Sequence, residues 1–169
     1  ISKPIGILTG VFDVLKGSFP IFLARFYLLD PRFSSLFYLL LLGFFAILGH
    51  IYPIYYKFKG GKAVSVVAGF ILATNWVFTI LGALIFFLIL KLRKMVSYAS
   101  ILMAAIIVAL TPILFIPVLG RISFYPLVVD NLYYYIPTLV GLCILLILKH
   151  RTNIERLQKG TESKITWIK

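Results

Sequence analysis

Hydrophobic residues in this chain come in long unbroken runs, and polar residues are confined to the breaks between them. A helix crossing a hydrocarbon core of about 30 Å needs roughly 20 apolar residues at about 1.5 Å each. Runs of that order lie at 4–27, 35–54, 97–118 and 131–148. Between the second and third, Ala63 to Thr74 gives only about a dozen apolar residues before Asn75-Trp76, and Val77 to Leu90 then returns towards Lys91-Leu92-Arg93-Lys94. This interruption predicts a short half-helix and a return leg, packed within protein, with both basic ends on one side. Leu29-Asp30-Pro31-Arg32 and the stretch from Arg121 to Tyr125 are expected to be turns, and Pro112 and Pro117 to kink or end the run that contains them. The expected fold is all-α, a polytopic transmembrane helical bundle with a short half-helix hairpin. It forms one integral-membrane domain over 1–169, of which 150–169 is a polar cytoplasmic tail.

Composition agrees with that pattern: 62% hydrophobic, 13% charged and mean hydropathy +1.05 exclude an ordinary soluble domain. A net charge of +12 would suit nucleic acid, but the cations stand at the ends of apolar runs and not along a polar face, so no nucleic-acid partner is expected. They instead orient the bundle. Lys57, Lys59, Lys62, Lys91, Arg93, Lys94, Lys149 and Arg151 share one side, the cytoplasmic one, against Arg25, Arg32 and Arg121 on the other. Lys16 falls within the first run. The single cysteine, Cys143, excludes an intramolecular disulfide and reads as a small apolar core residue.

Candidate chemistry concentrates on the basic side. In FKGGKAVSVVAG (58–69), Gly60 and Gly61 allow close backbone approach and present N–H groups, and Lys59 and Lys62 add charge at the mouth of a helix starting near Ala63. That chemistry fits an anionic head group; a plain basic turn at the membrane edge is the alternative. The loop lacks the leading glycine and the Ser or Thr after lysine of the nucleotide-binding phosphate loop. Ser97 and Ser100 stand one turn apart at a helix start, where capping by Ser97 or ligand contact by both is open. Asp13 and Lys16, three apart, are read as a structural ion pair within the first span. His50, before Pro53, is expected to hydrogen-bond a loop carbonyl. His150 and Glu155 are five apart, about 140° around a helix, which does not make an acid–base pair. No histidine spacing suits a metal, and no cofactor is expected.

GHIYPIYYKFKGGKAVSVVAG, KMVSYASI, HRTNIERLQKGTE and FDVLKG, in that register, resemble the bacterial membrane-integral acyl-phosphate:glycerol-3-phosphate acyltransferases. The resemblance implies transfer of an acyl group from acyl phosphate to the 1-hydroxyl of glycerol 3-phosphate, giving lysophosphatidic acid and phosphate in phospholipid synthesis. It implies that Gly60, Gly61 and Lys62 bind glycerol phosphate, that His150 and Asn153 contact substrate phosphate, and that Glu162 organises the tail. Lys59, Ser97 and Ser100 join the substrate-binding set. The implied partners are glycerol 3-phosphate, acyl phosphate and membrane lipid, in a monomer. Two departures stand out. The family's earlier GSGN-x-GATN loop is absent, as are a starting methionine and a first span, so an amino-terminally incomplete sequence is expected. Ala63 replaces a glycine usual after GGK, which is expected to tighten the loop and weaken glycerol phosphate binding. The competing readings are an anion or phosphate-ester transporter and an inactive family member.

Overall fold

The computed structural model describes residues 3–26, 36–115 and 132–166. Every regular element among them is helical: α1 (Lys3–Phe26), α2 (Leu36–Ile51), α3 (Val64–Thr74), α4 (Trp76–Arg93), α5 (Val96–Leu110), α6 (Leu132–Lys149) and α7 (Arg151–Gln158). Short 3-10 turns occupy Ile54–Tyr56 and Thr111–Phe115. Four helices are long and apolar enough to cross a membrane, or five if α6 and the α7 continuation, bent from it by 61°, form one span. The protein is a multi-pass membrane protein.

The breaks follow local chemistry. Helix α2 ends two residues before Pro53, which has no N–H to donate and disfavours helical geometry in the residue before it. Helix α5 gives way at Thr111 to a tighter turn that contains Pro112. The expected Leu29–Arg32 turn, Pro117 and the Arg121–Tyr125 turn lie outside the described residues. Between α3 and α4 the chain reverses on Asn75, whose extended backbone (φ −145°) ends one helix while its side-chain oxygen accepts from Phe78 N at 2.8 Å and caps the next.

Helices α1 and α3 touch backbone to backbone. A β-carbon at Gly17 would collide with the Val66 carbonyl, and one at Gly69 with that of Val14. Small residues at such crossings let helices approach where lipid offers no hydrophobic drive. Beneath the crossing, Ile21, Ile47, Val66, Phe70 and Tyr135 are fully buried.

One end of the bundle gathers the polar breaks. There the end of α2, the start of α3, the end of α4, the start of α5 and the end of α6 converge, as the site contacts below require. At the opposite end Thr74 Oγ1 and the Tyr135 hydroxyl lie 3.2 Å apart, and the Phe37 and Tyr134 rings meet edge to face at 5.5 Å. The short α3 thus reaches to within a turn of the start of α6, while its hairpin with α4 returns both basic ends to one side. Asp13 and Lys16 are paired on α1 at 3.1 Å, and Asp13 also stands 3.5 Å from His50 at the end of α2.

Candidate active site

The glycine loop is built back against α2. After Pro53 the chain makes one 3-10 turn, passes Lys57 and Phe58 in left-handed geometry (φ 51° and 61°), and donates Phe58 N–H to Pro53 O at 3.0 Å. The Gly60 N–H, expected to face a ligand, donates instead to Ile51 O at 3.2 Å. Ala63, also left-handed (φ 60°), turns the chain into α3 and leaves Lys62 facing the tail.

The tail folds back to meet it. Gly160 (φ 69°) ends α7 with Thr161 N–H bonded to Arg156 O at 2.8 Å, and Ile165 N–H reaches Lys94 O at 2.7 Å. That return sets Glu162, whose side chain is 5% exposed, at the centre of a network. Lys62 Nζ donates to Asn153 Oδ1; Asn153 Nδ2 donates to Glu162 Oε1 at 2.7 Å; Ser97 Oγ donates to the same oxygen at 2.6 Å; Arg156 Nε donates to Oε2 at 2.8 Å. Burial alone would push the Glu162 carboxyl up. The hydrogen bonds from Ser97, Arg156 and Asn153, with the guanidinium charge, overcome burial and hold it down at about 2. Partial burial lowers the Lys62 ammonium, with Glu162 opposing and Arg156 adding to the shift.

His150 is buried at the joint of α6 and α7. Its Nδ1–H donates to Leu146 O at 2.8 Å, leaving Nε2 as the nitrogen available to a ligand. Burial, supplemented by the Lys62 charge, lowers its pKa against the raising effects of Leu146 and Glu162 and so favours the neutral imidazole.

Lys62, Ser97, Ser100, His150, Asn153 and Glu162 line one cavity of about 370 Å³. A second, apolar cavity of about 360 Å³ runs between α3, α4, α5 and α6. Val64, Ser65 and Phe86 form walls of both.

Other sequence candidates fall elsewhere. Lys59, Gly60 and Gly61 are exposed beside the cavity and do not line it. Asp13 and Lys16, 3.1 Å apart, lie with His50 on the other flank of the loop. Ser97 is no cap, since Met95 holds that position without a side-chain bond. Ser100 Oγ donates to Val96 O at 2.9 Å. Arg156, Ser65 and Lys164 were missed. Arg156 alone left a signal, standing on the His150 and Asn153 face at successive three-residue steps.

The comparisons with known proteins bear on the family and the fold. The family model described as glycerol-3-phosphate acyltransferase matches residues 1–160. A curated glycerol-3-phosphate acyltransferase of Staphylococcus aureus (strain Newman) is 37% identical, over 99% of this chain and 77% of that protein, and that of strain JH9 matches equally. Crystal structures of PlsY (YgiH), an integral membrane glycerol 3-phosphate acyltransferase, superpose well. Its lysophosphatidic acid form gives a TM-score of 0.78 at 27% identity over 97% of this chain and 74% of that one. Its glycerol 3-phosphate form gives 0.76 at 28% over 97% and 72%. This chain belongs to the glycerol-3-phosphate acyltransferase family.

Proposed function

We propose that this membrane acyltransferase takes its acyl group from acyl phosphate and passes it to the 1-hydroxyl of glycerol 3-phosphate, forming lysophosphatidic acid for phospholipid synthesis at the cytoplasmic face of the cell membrane. The observation that carries the reading is the junction of the two cavities at Val64, Ser65 and Phe86. A cationic chamber beside an apolar one suits substrates with a phosphate head and a fatty chain. Of the relative's ligands, glycerol 3-phosphate carries the phosphate head alone and lysophosphatidic acid carries both the head and a fatty chain. The concentration of lysines at this end supports the cytoplasmic orientation.

In this reading Lys62 takes the glycerol phosphate, with Lys59, Gly60 and Gly61 shaping its approach, while His150, Asn153, Ser97 and Ser100 line the reacting region. Glu162 and the Asp13–Lys16 pair are structural. The hydroxyl oxygen attacks the acyl carbonyl carbon, the bond from that carbon to the phosphate oxygen breaks, and inorganic phosphate leaves carrying the hydroxyl proton. Two anions gathered beside fixed cations supply positioning and charge stabilisation, without a covalent enzyme intermediate or a cofactor. A second reading is favoured by His150, whose lowered pKa and Nδ1–Leu146 bond leave Nε2 to accept the same proton.

Purified protein in lipid nanodiscs, given labelled glycerol 3-phosphate, should form lysophosphatidic acid and stoichiometric phosphate with acyl phosphate but not with acyl-CoA. Equal use of acyl-CoA would overturn the donor assignment. Glycerol 3-phosphate flux into proteoliposomes without acylation would favour a transporter, and binding without turnover an inactive member.

A further inference from the structure

His50 is outside the cavity and has no part in the transfer just described, yet it touches the loop at both glycines. A β-carbon at Gly60 would collide with the His50 main-chain oxygen, with Ile51 O and Pro53 Cδ also close. One at Gly61 would collide with the ring nitrogen Nε2. The other ring nitrogen, Nδ1, is 3.5 Å from Asp13 Oδ1, the oxygen that also receives Lys16 Nζ at 3.1 Å. The His50 and Asp13 side chains are only 18% and 16% exposed, so the ring is held between α1 and the loop. Lys62 follows Gly61 directly. Where the glycine pair rests therefore decides where the ammonium reaches.

We propose that His50 is a positioning residue: its ring, braced by Asp13, is the seat against which Gly60-Gly61 packs and from which Lys62 is aimed into the cavity. This rests on the reading of Lys62 as a glycerol 3-phosphate ligand. The Gly61 position is then glycine because an imidazole lies against it, and not because a substrate must approach the backbone there.

The two explanations separate by suppression. Gly61→Ala forces a methyl into the ring and should raise KM for glycerol 3-phosphate on the order of tenfold with little change in kcat. His50→Ala should raise KM comparably by loosening the loop, and the double variant should be no worse than His50→Ala alone. Gly60→Ala meets a main-chain oxygen that no side-chain change removes, so its defect should persist in the His50→Ala background. His50→Gln, which keeps a donor for Asp13, should recover part of the affinity. A fully additive Gly61→Ala defect overturns the proposal, as does a collapse of kcat in His50→Ala with KM unchanged, the mark of a group acting on substrate. Amide hydrogen exchange at Gly60, without substrate, reads the seat directly. It should quicken in Gly61→Ala and in Asp13→Asn, and adding His50→Ala to Gly61→Ala should bring no further rise; unchanged exchange in both single variants sinks the idea even if His50→Ala fails to fold. Loss of acyl transfer in the parent protein would remove the functional reading and leave this exchange pattern intact.

Discussion

Lys62 is the residue on which the site's electrostatics turn. It is one end of a chain of bonds through Asn153 to Glu162; burial lowers the ammonium's pKa, and the carboxylate opposes that shift. In the proposed reading, removal of Lys62 takes away one phosphate contact, and Lys62 does not line the apolar cavity. Lys62→Ala is expected to raise KM for glycerol 3-phosphate by roughly tenfold or more and KM for acyl phosphate much less, since a charge-assisted bond is worth about 1.5–3 kcal/mol. Steady-state kinetics with each substrate varied in turn checks it, and equal effects on both would mean loop collapse. His150 supplies a pH test. Its pKa is lowered, so its base form persists above its folded pKa and is lost as pH falls through that value, below 6.5. If His150 takes the hydroxyl proton, the rate falls on that acid limb and the limb disappears in His150→Gln; if the leaving phosphate takes it, replacing His150 leaves the limb in place. Ala63 shows what a single position can disclose. The sequence marked it as an alanine where the family has glycine, and its left-handed φ of 60° gives the reason glycine suits the position.

The tail is the element that closes the site. Glu162 binds α5 through Ser97 and α7 through Asn153 and Arg156, so one carboxylate ties the last segment to the helix that starts beside it. Glu162→Gln loses the charge that every one of these donors faces, and is expected to lower the thermal midpoint and the yield of folded protein. Asn153→Ala deletes one donor and the link to Lys62, and should leave the midpoint nearly intact while reducing turnover. A stable, inactive Glu162→Gln or an unstable Asn153→Ala would reverse these roles. The carboxyl's folded pKa, about 2, lies below its ordinary 4.5, so its stabilisation is complete above about pH 4.5 and drains away as pH falls towards 2. Protease cleavage after residue 158 should rise across that window and be flat above it. The helices themselves were legible because a span of apolar residues leaves little choice of structure, and the hairpin because Asn75 breaks a run too short to stand alone. His150 and Asn153 were singled out by the resemblance of HRTNIERLQKGTE to the family, and their three-residue spacing adds only that they share one helix face. The Ser97–Glu162 bond, across 65 positions, and the Asp13–His50 contact were not, since which helix ends meet is decided by tertiary packing.

At the scale of the whole bundle, four helices leave an apolar space between them that shares Val64, Ser65 and Phe86 with the polar chamber. Gly82 on α4 is one reason. It lines the apolar cavity, and a β-carbon there would find Met103 Sδ at 3.6 Å and Ile107 Cδ1 at 3.8 Å, ordinary contacts. Alanine fits at Gly82, therefore, while a leucine must send its remaining carbons into the cavity. If the acyl chain lies there, each methylene turned out of apolar contact loses about 0.8 kcal/mol, close to fourfold in affinity. Gly82→Leu is expected to raise KM for long-chain acyl phosphates progressively over short-chain ones, with KM for glycerol 3-phosphate unchanged and Gly82→Ala near the parent enzyme. Assays across a series of acyl phosphates of increasing length decide it. A uniform loss at every length, with the fold intact by thermal unfolding, would mean that the chain lies outside this cavity, against lipid, and that the junction at Ser65 and Phe86 is not its route.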